Sequence, residues 1–255
     1  MFKRSNFLYF FIIFLISIIF SIQYFYKKQK EEQYLIQVNQ NKSKQINNWI
    51  LEKKHFMEKL SKNIENKNYN KEVFLKIMKE TNKKMKTHSV FLGLEDGNYL
   101  DTQGYWIDGF DPRVRPWYIE TIKQEKTTIT GPMYYNDISG QEINWWAISS
   151  LIKKEGKNYG VISSEINPEM LIKLLNDIKH SKIEDLFLFD KNSGIIIASI
   201  KGENELKLVQ NIFSKKFFEN LPKTKETSLI KVDENRKAIV TNLKEAPWIL
   251  CMIVK

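Results

Sequence analysis

Hydrophobic and polar positions alternate in different ways along this chain, and each pattern predicts a different element. From Phe7 to Tyr26 the run FLYFFIIFLISIIFSIQYFY carries no charge. About 20 such residues at 1.5 Å each cross roughly 30 Å of hydrocarbon. Aromatic residues at both ends suit the two interfaces. The run is too long for the apolar region of a signal peptide, and no A-x-A-like cleavage site follows. It reads as an uncleaved membrane anchor. From Lys27 to Lys67 there is no Gly or Pro, and Ile46, Trp49, Ile50, Phe56, Met57, Leu60 and Ile64 recur at three- and four-residue steps. That period predicts a long amphipathic helix leaving the membrane. Large apolar residues are sparse between Val38 and Ile46, so the helix is not a strong coiled coil. Its stripe is available to its own domain, to a second copy, or to both.

After a second helix over 71–84, the pattern shifts to short apolar runs. SVFLGLEDGNYL places two of them around Asp96-Gly97, a pair that favours a tight hairpin turn. Further strands are expected near 127–130, 144–152 and 159–166. A similar order then begins again. A helix PEMLIKLLNDIK starts at Pro168, a hairpin DLFLFDKNSGIIIAS turns at Gly194, a short helix covers 213–220, and three strands end the chain. The fold class is α+β: two modules with antiparallel sheets in tandem behind one long helix.

Composition narrows the function. The net charge of +10 does not read as a nucleic-acid footprint, because the lysines are interleaved with acids along helix faces, as in LEKKHFMEKL. With Cys251 as the only cysteine, neither an intrachain disulfide nor a Cys-based metal site can form. His55, His88 and His180 lack metal-ligand spacing. No GxSxG, GxxxxGK, GxGxxG or HExxH motif is present, so no catalytic centre, metal or cofactor is expected. Trp145 and Trp146 point to opposite faces of their strand, one to the core and the other to a pocket or solvent.

The stretch DPRVRPWY, residues 111–118, stands out. Pro112 and Pro116 fix their own φ and restrict Asp111 and Arg115 before them, which predicts a rigid loop. A guanidinium held beside an indole suits a planar anion such as a carboxylate. The other reading of these eight residues is a surface turn whose arginines pair with Asp108 and Asp111.

With EDGNY (95–99), DPRVRPWY, YYNDISG (134–140), WWAISSLI (145–152) and GVISSEI (160–166), the chain resembles the periplasmic double Cache sensor domains of bacterial chemoreceptors over nearly its whole length. That resemblance implies two tandem PAS-like modules, the membrane-distal one holding a ligand. It implies a cytoplasmic tip and anchor at 1–27, a stalk helix at 28–67, a distal module at 68–170 and a proximal module at 171–255. It also implies single-pass anchoring in the inner membrane with the sensor in the periplasm. The charge count, with Lys3 and Arg4 before the anchor and Lys27, Lys28 and Lys30 after it, leaves that orientation open.

Some members of the family bind free amino acids, and their motif carries over by position. Arg115 and Trp117 match the pair on the ligand carboxylate, Tyr118 completes the Trp-Tyr pair, and Tyr135 and Asp137 match a Tyr-x-Asp pair at the ammonium. Glu165 stands where the motif has a second ammonium-binding aspartate, and Phe110 where it has a tyrosine. Arg113 has no ligand role in that motif and is expected to make structural or surface contacts. The expected partners are an amino acid or related amine, the membrane, and a second copy along the stalk. No transmitter is recognisable in the sequence. The alternative readings are the sensor part of a histidine kinase or cyclic-dinucleotide protein, or a Cache module without a ligand.

Overall fold

The computed structural model describes residues 4–104, 109–136, 142–178, 180–202, 206–213, 215–219, 221 and 227–255. One helix, α1 (Arg4–Glu65), carries both the apolar segment and the stalk. Residues 11–26 lie exposed along it, and among the described residues it is the one helix long and apolar enough to cross a membrane. Past that segment, Leu35, Ile46, Ile50, Met57, Leu60 and Ile64 sink into a core cluster shared with both modules.

The distal module comprises α2 (Lys71–Met85), β1 (Val90–Leu94), β2 (Tyr99–Asp101), a 3-10 turn (Pro112–Val114), α3 (Pro116–Gln124), β3 (Thr128–Asn136), β4 (Glu142–Lys154) and β5 (Lys157–Ile166). The proximal module comprises α4 (Pro168–Leu175), β6 (Ile183–Asp190), β7 (Ile196–Ser199), α5 (Val209–Phe213), α6 (Lys215–Glu219), β8 (Ser228–Lys231), β9 (Lys237–Asn242) and β10 (Trp248–Val254). Both sheets are antiparallel, ordered β2-β1-β5-β4-β3 and β7-β6-β10-β9-β8. The second therefore repeats the topology of the first: the last strand returns to the centre, beside the hairpin that opened the module.

The repeat extends to the stalk. Lys53 Nζ donates to the Met85 carbonyl at the end of α2, at 2.6 Å. Eleven residues earlier on α1, Lys42 Nζ donates to the Leu174 carbonyl near the end of α4, at 2.8 Å, and pairs with Asp177. Each module's opening helix thus has its electronegative C-terminal end met by a lysine from the stalk. Asn39, between Val38 and Ile46, is also buried; its side-chain amide donates to the Ile239 carbonyl and its oxygen accepts from Thr241. The apolar gap in the stalk is a polar clamp on the proximal module.

Strand alternation divides each sheet between two cores. In the distal module Leu92, Trp146, Ile148, Ile162 and Ile166 face α1 and α2. The opposite face presents Phe91, Ala147 and Val161 to Trp117 and Tyr118 of α3. The equivalent face of the proximal module is filled by Phe187, Phe189, Phe213 and Phe217.

Candidate functional site

The DPRVRPWY loop is built onto the β1–β2 hairpin. Asp111 accepts from the Arg113 backbone N–H at 2.9 Å, closing the 3-10 turn. The Arg113 guanidinium returns to the same carboxylate through Nε and Nη2, both at 2.9 Å, and Nη1 donates to the Glu95 carbonyl at 3.3 Å. This holds the Asp111 carboxyl below the usual carboxylate range, chiefly through the Arg113 side-chain hydrogen bond. Arg113 thus contacts its own loop and the Glu95 carbonyl from a partly exposed position.

Gly93 on β1 lets the loop come close. A Cβ there would lie 2.5 Å from Pro112 Cβ and 2.9 Å from the Trp117 ring. Arg115 is the N-cap of α3, with Pro116 in the first turn of the helix. The Trp117 ring sits edge-on to Phe91, centroids 5.0 Å apart, and Tyr118 donates its hydroxyl to Glu95 at 2.9 Å. Trp117 and Tyr118 are thereby buried between α3 and the sheet.

Arg115 is used differently from Arg113. Its guanidinium lies over the Phe110 ring at 4.4 Å from the centroid, and its Nε is buried without a hydrogen-bond partner among the described residues. Phe110 in turn packs on Tyr99 at 4.5 Å, and Phe91 packs on Trp145 at 5.4 Å. Trp145 and Trp146 do part as expected: Trp146 enters the core beneath the sheet, and Trp145 packs on the α3 side.

Acidic groups share this face of the sheet. Glu165 lies opposite Ala147 of β4, on the same side as Val161 and Ser163, and is 6% exposed. Burial raises its pKa, opposed by His88 and reinforced by Asp101. The Asp101 carboxylate accepts from the Tyr99 hydroxyl and from Ser89, both at 3.0 Å. Tyr99 is pushed well above the ordinary phenol range, by burial first and then by Asp101, with Glu165 adding to the shift and Arg115 opposing it. Tyr99 therefore lies within electrostatic reach of Arg115 and of both carboxylates.

Of the sequence-derived candidates, Arg115 and Phe110 stack beside Tyr99 and Glu165 lies on the same face of the sheet, while Trp117 and Tyr118 anchor the loop that carries Arg115. Tyr135 occupies the β3 position paired with Ile143 of β4. Asp137 lies outside the described residues. Sequence reasoning missed Tyr99 and Asp101. Their signal was the two-residue spacing in NYLD directly after the hairpin turn, which sets both on one face.

No family model matches the chain. The methyl-accepting chemotaxis protein McpG of Pseudomonas putida is 24% identical over 229 residues, covering 88% of this chain and 34% of the relative. PctB of Pseudomonas aeruginosa is 27% identical over 115 residues, 44% of this chain and 18% of the relative. The chain thus spans about a third of the length of the longest-matching of these curated relatives. Among solved structures, the ligand-binding domain of the amino acid chemoreceptor PctB from P. aeruginosa, in complex with L-Arg, gives a TM-score of 0.72 at 20% identity over 88% of this chain and 94% of that one. The ligand-binding domain of the Pseudomonas fluorescens chemoreceptor CtaA with L-serine gives 0.72 at 21%, over 89% and 98%. These likenesses show the fold: two tandem PAS-like modules behind one long helix.

Proposed function

We propose that this chain, which has the double-Cache fold of chemoreceptor ligand-binding domains, is the extracytoplasmic sensor of a chemoreceptor-type protein and binds an amino acid or related amine in its distal module. The domain belongs to a non-catalytic class and is not an enzyme. Its apolar helix anchors it once in the inner membrane, with the modules in the periplasm. The observation that carries the ligand reading is that Arg115, whose Nε is buried with no hydrogen-bond partner among the described residues, lies together with the buried Glu165 and the half-buried Asp101 within electrostatic reach of Tyr99. A zwitterion satisfies both ends of that arrangement, and a buried charge without a counterpart is costly. The likeness to domains solved with L-Arg, L-serine and L-alanine supports the same class of ligand.

In this reading Arg115 and Trp117 take the carboxylate. Glu165 takes the ammonium, together with Asp137 and Tyr135, and Phe110 and Tyr118 support the clamp. The distal module occupies 68–170 and the proximal module 171–255, the latter holding phenylalanines where the former holds its clamp. Two copies pair along the stalk, where Tyr34, Gln37, Asn41, Lys44, Asn48 and Leu51 stand exposed at alternating three- and four-residue steps.

The test is a thermal-shift screen of the full chain in lipid nanodiscs against the L-amino acids and simple amines. A ligand that binds only the folded state at 100 times its Kd adds about 2.7 kcal/mol. At least one α-amino acid is expected to raise Tm, and its amide or its decarboxylated amine to act more weakly. The absence of any shift across the set would contradict the reading.

A further inference from the structure

At the opposite end of the molecule from this clamp, charges gather where α1 leaves the apolar segment. The turn between β8 and β9 and the end of β10 meet α1 around a cavity of about 500 Å³, lined by Lys28 and Leu35 of the helix together with Lys231, Asn235, Arg236 and Lys255. Lys28 is two residues beyond Tyr26, the last aromatic residue of the apolar run. At 1.5 Å per residue that is roughly 3 Å of helix. The β8–β9 turn therefore stands at the depth of lipid headgroups, given the transmembrane reading of the apolar segment on which this inference rests.

All but Glu234 of the acids here are already committed. Glu31 pairs with Lys182, Glu32 with Lys237, and Asp233 and Glu184 with Arg236. Lys27, Lys28, Lys30, Lys231 and Lys255 have no ion pair among the described residues, and Glu234 is the unpaired acid on the turn. Basic residues from three separate segments of the chain thus form a collar around the exit of the helix. Clustered lysines beside a span are attracted by anionic lipid, and the attraction decays within a Debye length, so it acts only on charges at this depth.

We propose that this collar is a binding surface for anionic phospholipid headgroups, with Lys231 and Lys255 of the proximal module joining the helix lysines on lipid phosphate. The contact docks the β8–β9 turn on the bilayer and restrains the proximal module relative to the membrane.

The full chain in nanodiscs of phosphatidylcholine alone, or with added phosphatidylglycerol, provides the test. Hydrogen exchange across 232–237 is expected to slow with phosphatidylglycerol, by roughly fivefold for each lysine engaged. The double variant Lys231→Glu/Lys255→Glu is expected to lose that dependence, as is the wild type in high salt. Both side chains are exposed, and unchanged exchange in the central strands β6 and β10 reports that the variant is folded. Equal exchange in both lipids, or a lipid effect that survives the double variant, overturns the proposal. Release of the chain from the discs by alkaline carbonate overturns the anchor reading and this proposal with it. Retention in the discs without lipid dependence overturns this proposal alone.

Discussion

The guanidinium of Arg115 rests on the ring of Phe110, 4.4 Å from its centroid, so a residue that makes no ion pair among the described residues is held in place by an aromatic face. A cation over a ring gains about 0.5–2 kcal/mol, depending on desolvation. Phe110→Ala should therefore weaken amino acid binding by up to about 30-fold, while Phe110→Tyr, which keeps the ring, should bind at least as well as wild type. Titration calorimetry on the two variants checks this; equal losses in both would separate the stack from binding.

Glu165 gives the site a pH signature. Burial raises its pKa above the ordinary value of 4.5, so the folded protein holds this proton more tightly than the unfolded chain does. Its contribution to ligand-free stability is full below that ordinary value and is lost as pH rises through the raised one. A bound ammonium favours the ionised carboxylate, so affinity should run the other way and fall as pH drops through the same window. Glu165→Gln should flatten both dependences and weaken binding. Thermal melts and titrations across that window test the pair of slopes, and a slope unchanged by Glu165→Gln would remove this carboxyl from the site.

Much of this architecture was legible because local chemistry agreed with the fold. The turns at Gly97 and Gly194, both at positive φ, separate apolar runs in equivalent places of the two modules. Pro168 opens α4, and the three- and four-residue steps of the stalk match its buried stripe. What stayed hidden depends on contacts distant in sequence. The scarcity of apolar residues between Val38 and Ile46 looked like a weak stripe, but Asn39 and Lys42 bond to residues 200 and 132 positions away. Strand β3 runs past its expected end near 130 because it pairs with β4 as far as Asn136, and β4 runs past 152 because it pairs with β5 as far as Lys154. Tyr99 and Asp101 escaped notice because only sheet pairing sets them on the face that carries Glu165.

Gly93 is where the DPRVRPWY loop touches the sheet. Any Cβ there would meet the ring of Pro112 and the indole of Trp117, both of them buried. Gly93→Ala should cost about 1–3 kcal/mol of stability through overpacking and should displace the loop that carries Arg115. The expected result is a lower Tm together with weakened binding. A variant that keeps wild-type affinity would show that loop seating and ligand capture are independent.

The stalk lysines should matter to stability and not to ligand contact. Lys53→Met leaves the Met85 carbonyl without its donor, and Lys42→Met does the same at Leu174. Hydrogen bonds from charged groups are worth about 1.5–3 kcal/mol. Each variant should lower stability by an amount of that order, with faster hydrogen exchange at the end of α2 in the first and of α4 in the second. Exchange that rises equally at both ends in both variants would contradict separate clamps.

The central claim is that Arg115 grips a ligand carboxylate while Arg113, two residues away on the same loop, is tied to Asp111. Calorimetric titration of the best amino acid from the thermal screen into wild type, Arg115→Ala and Arg113→Ala tests it most directly. Removing a charge from a desolvated carboxylate pair costs about 2–5 kcal/mol, so Arg115→Ala should lose roughly 30- to 4,000-fold in affinity. Arg113→Ala should bind within a few-fold of wild type, with some loss of stability from the freed turn. Equal loss of affinity in both variants, each folded, would return DPRVRPWY to a surface turn and contradict the account.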